Sequence, residues 1–291
     1  MTERFGVVGG GIMGSGIAEV AARAGYDVLV REVDDAAVDA AQLRLAQSLG
    51  RAVRAGKSTE GERDAALDRL SFTTELADLA DRDVVVEAVV EDEAEKSAVF
   101  RTLGAIVSPD CLLASNTSSI PIMKLASVTA HPERVIGLHF FNPVPILPLV
   151  EVVPSLLTAP ETVRRAELLV EKGLGKHTVL CKDRAGFVVN ALLIPFLLAA
   201  IRMVESGFAS AEDVDTAMVA GCAHPMGPLA LADLIGLDTT HAVACSMYAE
   251  FKEPLYAAPP LLLRMVEAGL LGRKSGRGFF EYAAPRVRAP V

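Results

Sequence analysis

FGVVGGGIMG, residues Phe5 to Gly14, sets a four-residue apolar run against a cluster of glycines, and a helical pattern follows at once. Gly9, Gly11 and Gly14 form a GxGxxG spacing between a strand and a helix, the context in which that motif binds a dinucleotide. The first glycine permits a tight turn, the second admits a pyrophosphate close to the backbone, and the third lets helix and strand pack together. Ile12 and Met13 sit at the start of the helix, where their amides join Gly9, Gly11 and Gly14 as candidate cofactor contacts. Glu32 ends the next strand, 18 residues beyond Gly14, where a carboxylate accepts hydrogen bonds from an adenosine ribose. That carboxylate repels a 2'-phosphate and favours NAD, whereas Arg31 beside it keeps NADP open. An FAD enzyme of this type needs further flavin-binding segments, and the sequence supplies none.

Outward from this motif, strand-like and helical runs alternate: Phe5 to Val8, Ile12 to Ala24, Asp27 to Val30. This is the start of an α/β fold with a Rossmann-like, doubly wound, mostly parallel sheet. Asp34 to Leu70 reads as two charged amphipathic helices broken near Gly56, an inserted helical hairpin. Further strands are expected at Val84 to Glu87, Leu112 to Ala114, Val135 to Phe140, Val150 to Val153 and His177 to Leu180, several of them apolar enough for burial on both faces. From Gly186 the pattern turns helical, with helices expected over Phe187 to Ser206, Ala211 to Ala220 and Ala230 to Phe251. An NAD-binding domain over residues 1–184 and an all-helical C-terminal domain over 185–291 follow. The tail after Ala283 is expected to fray.

Composition fits this plan. The chain has 291 residues, 51% of them hydrophobic, and a mean hydropathy of +0.37, enough for a substantial core. A net charge of -9 argues against nucleic acid or an anionic membrane as partner. Cys111, Cys181, Cys222 and Cys245 lack metal-binding spacing and read as reduced core thiols, so no metal site is expected. The N-terminus has no signal-peptide pattern, and Phe187 to Ile201 is broken by Pro195 and too short to span a bilayer; the cytoplasm is the expected compartment.

The stretch from Gly137 to Val152 puts His139 at one strand end and Glu151 on the next, across a loop stiffened by Pro143, Pro145 and Pro148. A histidine beside a buried carboxylate can accept an alcohol's proton near neutral pH while its partner fixes the tautomer. These two residues alone fit equally well a strand-capping histidine and a glutamate paired with a lysine.

Seven segments together decide between those readings: Gly9 to Gly25, VVEAVVED (Val85 to Asp92), SNTSSI (Ser115 to Ile120), HFFNPVPILPLVEV (His139 to Val152), KDRAGFVVN (Lys182 to Asn190), His224 to Thr240 and GRKSGRGFFEY (Gly272 to Tyr282). In these the chain resembles the 3-hydroxyacyl-CoA dehydrogenase family, particularly the short bacterial 3-hydroxybutyryl-CoA dehydrogenases, nearly end to end. The resemblance implies that His139 and Glu151 are the catalytic pair and that Ser118 and Asn190 bind the substrate's reacting oxygen. It also implies that Glu91 and Lys96 lie along the nicotinamide half of NAD, that Ser118 contacts the cofactor as well as the substrate, that Asn142 lies near the nicotinamide and that Lys274 closes onto the site. It further implies an acyl-CoA substrate and a homodimer.

Without the resemblance, Ser118 reads as a helix N-cap, Asn190 as a polar residue of a first helical turn, and Glu95 and Lys96 as surface charges. For the CoA phosphates, Arg51, Arg54 and Lys57 are the cationic run near the hairpin, and a solvated helix face explains them equally well. Pro148 stands where the family often has lysine, and Ala191 where arginine often follows the asparagine. A dehydrogenase of a non-CoA hydroxy acid and a non-catalytic NAD-binding protein are the competing readings. A serine hydrolase is not, because Ser118 lies in no GxSxG elbow.

Overall fold

The computed structural model describes residues 3–282, and the chain divides into two compact units at Phe187/Val188. In the first unit, strands β1 (Arg4–Val8), β2 (Asp27–Arg31), β3 (Leu70–Thr73), β4 (Val84–Glu87), β5 (Leu112–Ser115), β6 (Val135–Phe140), β7 (Leu149–Pro154) and β8 (His177–Leu180) form one sheet. Its order is β3-β2-β1-β4-β5-β6-β7-β8. Every pairing is parallel except β6 with β7. Helices α1 (Ile12–Ala24), α2 (Asp35–Arg54), α3 (Glu60–Leu67), α4 (Glu93–Ile106), α5 (Ile122–Ser127) and α6 (Pro160–Leu168) complete the unit.

Side chains alternate between the two faces of the sheet, as the period of two requires. Phe5 and Val7 of β1, Val84 and Val86 of β4, and Leu112 and Ala114 of β5 join one apolar layer with Ile17 and Leu45. Val8, Val85 and Leu113 join the other with Phe100 and Leu103. Full burial of each Val, Leu, Ile or Phe side chain contributes about 1.5–3 kcal/mol. The doubly wound expectation holds because these strands are apolar on both faces. β8 differs: it is an edge strand with Val179 and Leu180 partly exposed, so burial on both faces does not extend to it.

The helical hairpin is the crossover from β2 to β3. Asp34 caps α2 by accepting from the Ala37 amide at 2.8 Å, and Thr59 with Glu62 forms a capping box on α3. The chain then enters β3, whose LSFT sequence is half-exposed and carries too weak an apolar alternation to be read as a strand.

The second unit contains α7 (Val189–Glu205), α8 (Ala211–Cys222), α9 (Pro228–Ile235), α10 (Leu237–Phe251) and α11 (Pro260–Glu267). The single helix expected over Ala230 to Phe251 is two helices. Gly236 adopts φ 103°, ψ 128°, which ends α9 and starts α10, and apolar periodicity runs across that break undisturbed. The buried Asp215 carboxylate accepts from the Leu229 and Ala230 amides at the head of α9. Asp233 accepts from the Phe279 and Phe280 amides and the Tyr282 hydroxyl, each at 3.0 Å, fastening the last described residues to α9. The reading of four core thiols is corrected: Cys111 and Cys181 are buried, but Cys222 and Cys245 are exposed, because they lie on outward faces of α8 and α10. No described helix is long and apolar enough to cross a membrane. The tail after Ala283 lies outside the described residues.

The closest approach in the sheet unit is at Gly14, where an added Cβ would stand 1.7 Å from the Gly9 carbonyl oxygen. Backbone must therefore move to admit alanine. Gly14→Ala is expected to destabilise the protein by more than about 3 kcal/mol or prevent folding, read by urea denaturation against wild type.

Candidate active site

The expected catalytic pair lies on the β6/β7 pairing, which places His139 directly across from Glu151. His139 Nδ1 lies 2.7 Å from Glu151 Oε2, with the imidazole 8% exposed and the carboxylate fully buried. A carboxylate only accepts, so Nδ1 carries the hydrogen and the neutral ring keeps its lone pair on Nε2. Phe141 and Phe187 pack on the ring at centroid distances of 4.5 and 5.4 Å. Asn116 Oδ1 accepts from the Phe140 amide at 2.9 Å and ties the end of β6 to the turn after β5. The proline loop between the pair is held from beneath by the buried Lys176, whose Nζ donates to the Val144 and Leu147 carbonyls at 2.7 Å each. Burial pushes the Lys176 ammonium below its usual range. Asn142 is exposed at the start of this loop.

At the same end of the sheet, after β1, Gly11 is the N-cap of α1, with no side-chain cap and no acidic residue in the first turn. Its added Cβ would meet nothing within 4 Å, so the space in front of the helix is open. Ile12 is exposed beside it and Met13 half-buried. These free amides and the open approach fit a pyrophosphate. Glu32, one residue past β2, accepts from the Gly10 amide at 2.6 Å and so borders the glycine turn. Arg31 points elsewhere, its Nε donating to the Thr74 carbonyl at 3.1 Å.

Glu91 and Lys96 sit between these two regions in one network. Lys96 is no surface charge: it is 1% exposed and bonds Glu87 at 2.6 Å and Glu91 at 3.2 Å. Glu95 is exposed. The reversal follows from helix phase, because α4 turns Lys96 towards β4 along with Phe100 and Leu103. Glu91 Oε1 accepts from the Thr117 hydroxyl at 2.6 Å and the amides of Ser118 at 2.8 Å and Ser119 at 3.2 Å. Ser118 thereby serves a turn closed by a carboxylate. Burial raises the Glu91 pKa, but Lys96 and the Thr117 and Ser118 donors outweigh it and hold the carboxyl below its usual value.

Arg51 and Arg54 end α2, and both are exposed, as is Lys57 after the turn. Lys57 lines a cleft of about 730 Å³ with Arg23, Arg69, Lys172 and Lys176, and Arg51 and Arg54 do not. Four of those five cations went unread because they come from separate elements. In the helical unit Asn190 is half-buried in the first turn of α7, and Lys274 pairs with Asp238 at 2.6 Å.

Residues 4–184 match the model for the 3-hydroxyacyl-CoA dehydrogenase NAD binding domain, and residues 186–282 match that for the same family's C-terminal domain. The chain belongs to the 3-hydroxyacyl-CoA dehydrogenase family. A 3-hydroxybutyryl-CoA dehydrogenase of Mycobacterium tuberculosis is 63% identical over 96% of this chain and 98% of its own. The crystal structure of FadB2 from M. tuberculosis superposes with a TM-score of 0.96 at 62% identity, covering 97% of this chain and 99% of that one. That of (S)-3-hydroxybutyryl-CoA dehydrogenase PaaH1 from Ralstonia eutropha gives a TM-score of 0.92 at 43% identity, covering 98% and 100%. The expected family and fold are thus both found, and NAD is the cofactor that the matched domain binds.

Because the folded state holds Glu91 below its ordinary 4.5, its stabilising contribution is complete above that pH and disappears as pH falls through the lowered value. Urea midpoints between about pH 6 and about pH 3 should therefore fall more steeply for wild type than for Glu91→Gln.

Proposed function

We propose that this chain is a 3-hydroxybutyryl-CoA dehydrogenase that interconverts an (S)-3-hydroxyacyl-CoA and its 3-oxoacyl-CoA. The observation that carries the reading is the 2.7 Å His139 Nδ1 to Glu151 contact, which leaves Nε2 as the base. In the oxidising direction Nε2 takes the proton of the 3-hydroxyl, and Glu151 stabilises the imidazolium so formed. Ser118 and Asn190 donate to the same oxygen as it gains negative charge. NAD, when bound, supplies the acceptor for the hydride leaving C3.

The rest of the cofactor's grip is assigned in the same way. Gly9, Gly11, Ile12, Met13 and Gly14 hold the pyrophosphate and Glu32 the adenosine ribose. Glu91, Lys96, Asn142 and Lys274 serve the nicotinamide half. The Arg31 contact with Thr74 supports NAD over NADP, since that guanidinium is already engaged. Arg51, Arg54 and Lys57 are assigned to the CoA phosphates. The enzyme works as a homodimer in the cytoplasm, a reading supported by Leu192 at 73% and Phe208 at 77% exposure in the helical unit and by four free cysteines.

The test is the loss of NADH absorbance with acetoacetyl-CoA, run beside NADPH and beside free acetoacetate. Turnover that requires both NADH and the CoA thioester is expected; equal turnover of free acetoacetate would overturn the substrate assignment. His139→Gln should lower kcat by about 10²- to 10⁴-fold with NADH still bound in a fluorescence titration.

A further inference from the structure

Glu87, the last residue of β4, is fully buried, and both of its carboxylate oxygens are engaged. Oε1 accepts from Lys96 Nζ at 2.6 Å and the Val89 amide at 2.7 Å, and Oε2 accepts from Ser115 Oγ at 2.6 Å. Burying a carboxylate costs several kcal/mol unless it is paired and hydrogen-bonded. Neutralising Lys96 does not explain Glu87, because Glu91 already places an opposite charge 3.2 Å from the same ammonium. Two carboxylates around one buried lysine leave a net negative charge, so Glu87 serves geometry beyond charge balance.

That geometry leads to the Ser118 turn by two routes. Along the first, Glu87 fixes Lys96, Lys96 holds Glu91, and Glu91 accepts from the Ser118 amide at 2.8 Å. Along the second, Glu87 orients Ser115 Oγ, which accepts from the Thr117 amide at 3.2 Å. The two routes meet on adjacent residues. Lys96 has three protons and spends them on Glu87, Glu91 and the Val89 carbonyl, so its position is set by all three at once and it is free to shift when Glu87 releases it.

We propose that Glu87 is a positioning residue for the reaction, setting the Ser118 turn from both sides through Ser115 and through the Lys96–Glu91 pair. The inference rests on the reading of Ser118 as a ligand of the substrate oxygen. A glutamine at 87 keeps the shape but offers one acceptor oxygen to three donors. Lys96 then moves to Glu91, and Glu91 is drawn from the Ser118 amide.

The test is a double-mutant cycle on the full chain with acetoacetyl-CoA and NADH. Glu87→Gln should lower kcat/KM by about 10- to 100-fold, the range for a buried donor left unsatisfied. Glu87→Asp, which keeps the charge, should recover part of that loss. In a Ser118→Ala background the same Glu87→Gln change should cost far less, because its target is already gone. Ser115→Ala, which cuts one route and leaves the ion pair intact, should show the same dependence on Ser118 even if Glu87→Gln fails to fold. Equal losses in both backgrounds, or wild-type activity in Glu87→Gln, would overturn the proposal. Absence of turnover by wild type would overturn the substrate reading instead, so the two failures are distinct.

Discussion

The antiparallel step between β6 and β7 is the constraint from which the His139–Glu151 pair follows. In a purely parallel sheet His139 and Glu151 would need a long crossover between them, whereas here they face each other in register across a short loop. A slip of one residue would turn Glu151 to the other face of the sheet. Several contacts oppose that slip. On its far edge β7 is paired in turn with β8, with Glu151 opposite Val179. Gly137 lies so close to Val153 that an added Cβ would come within 2.9 Å of it. Lys176 grips the loop by two carbonyls, and Asn116 fastens the end of β6. The prolines limit the loop's freedom in the unfolded chain, and these bonds select the folded path.

Buried charge is the second theme of this unit. Glu87, Lys96 and Glu151 are each almost inaccessible to solvent, beside a layer of apolar side chains that includes Val85, Phe100, Leu103 and Ile122. Such groups are weak stabilisers, since desolvation consumes much of their attraction. Their value lies in direction: an ion pair with every proton assigned permits one arrangement, where an apolar contact permits several. The parallel strands deliver Glu87 and Ser115 to the same sheet end side by side, in register, and the glycine turn, the Ser118 turn and His139 all follow strand ends on that side.

How much of this was legible in the sequence depends on whether a feature is local. The glycine turn, the apolar strands and the hairpin all write their signals into a few consecutive residues, and the His139/Glu151 pair is legible because a short loop joins its strands. β3 was missed because an edge strand has little apolar alternation to show. The Gly236 break was missed because hydrophobic periodicity continues through it, while the deciding quantity is a backbone dihedral. The burial of Lys96 depends on which face of α4 meets β4, and the cation-lined cleft gathers residues from α1, the hairpin and the turn before β8. Such features are fixed by packing, which a linear pattern records only indirectly. The exposure of Cys222 and Cys245 belongs to the same class.

Helix capping explains how a chain of net charge -9 can still present an anion site. α2 and α4 follow strands β2 and β4 just as α1 follows β1, yet Asp34 and Asp92 cap them and each carries further acid in its first turn. One end amide of each is therefore satisfied by the cap, and the acidic residues there repel anions. α1 has neither cap nor acid, and the nearest carboxylate, Glu32, is turned onto the Gly10 amide at the edge of the turn. Leaving that end uncapped forgoes roughly 1 kcal/mol of helix stability. It also leaves amides whose hydrogen bonds only a ligand or water can complete, so the same omission that weakens the helix opens the place proposed for the pyrophosphate. In the proposed cofactor assignment, selectivity for a dinucleotide among phosphates falls to Glu32, whose charge tolerates a ribose hydroxyl and opposes a phosphate in its place.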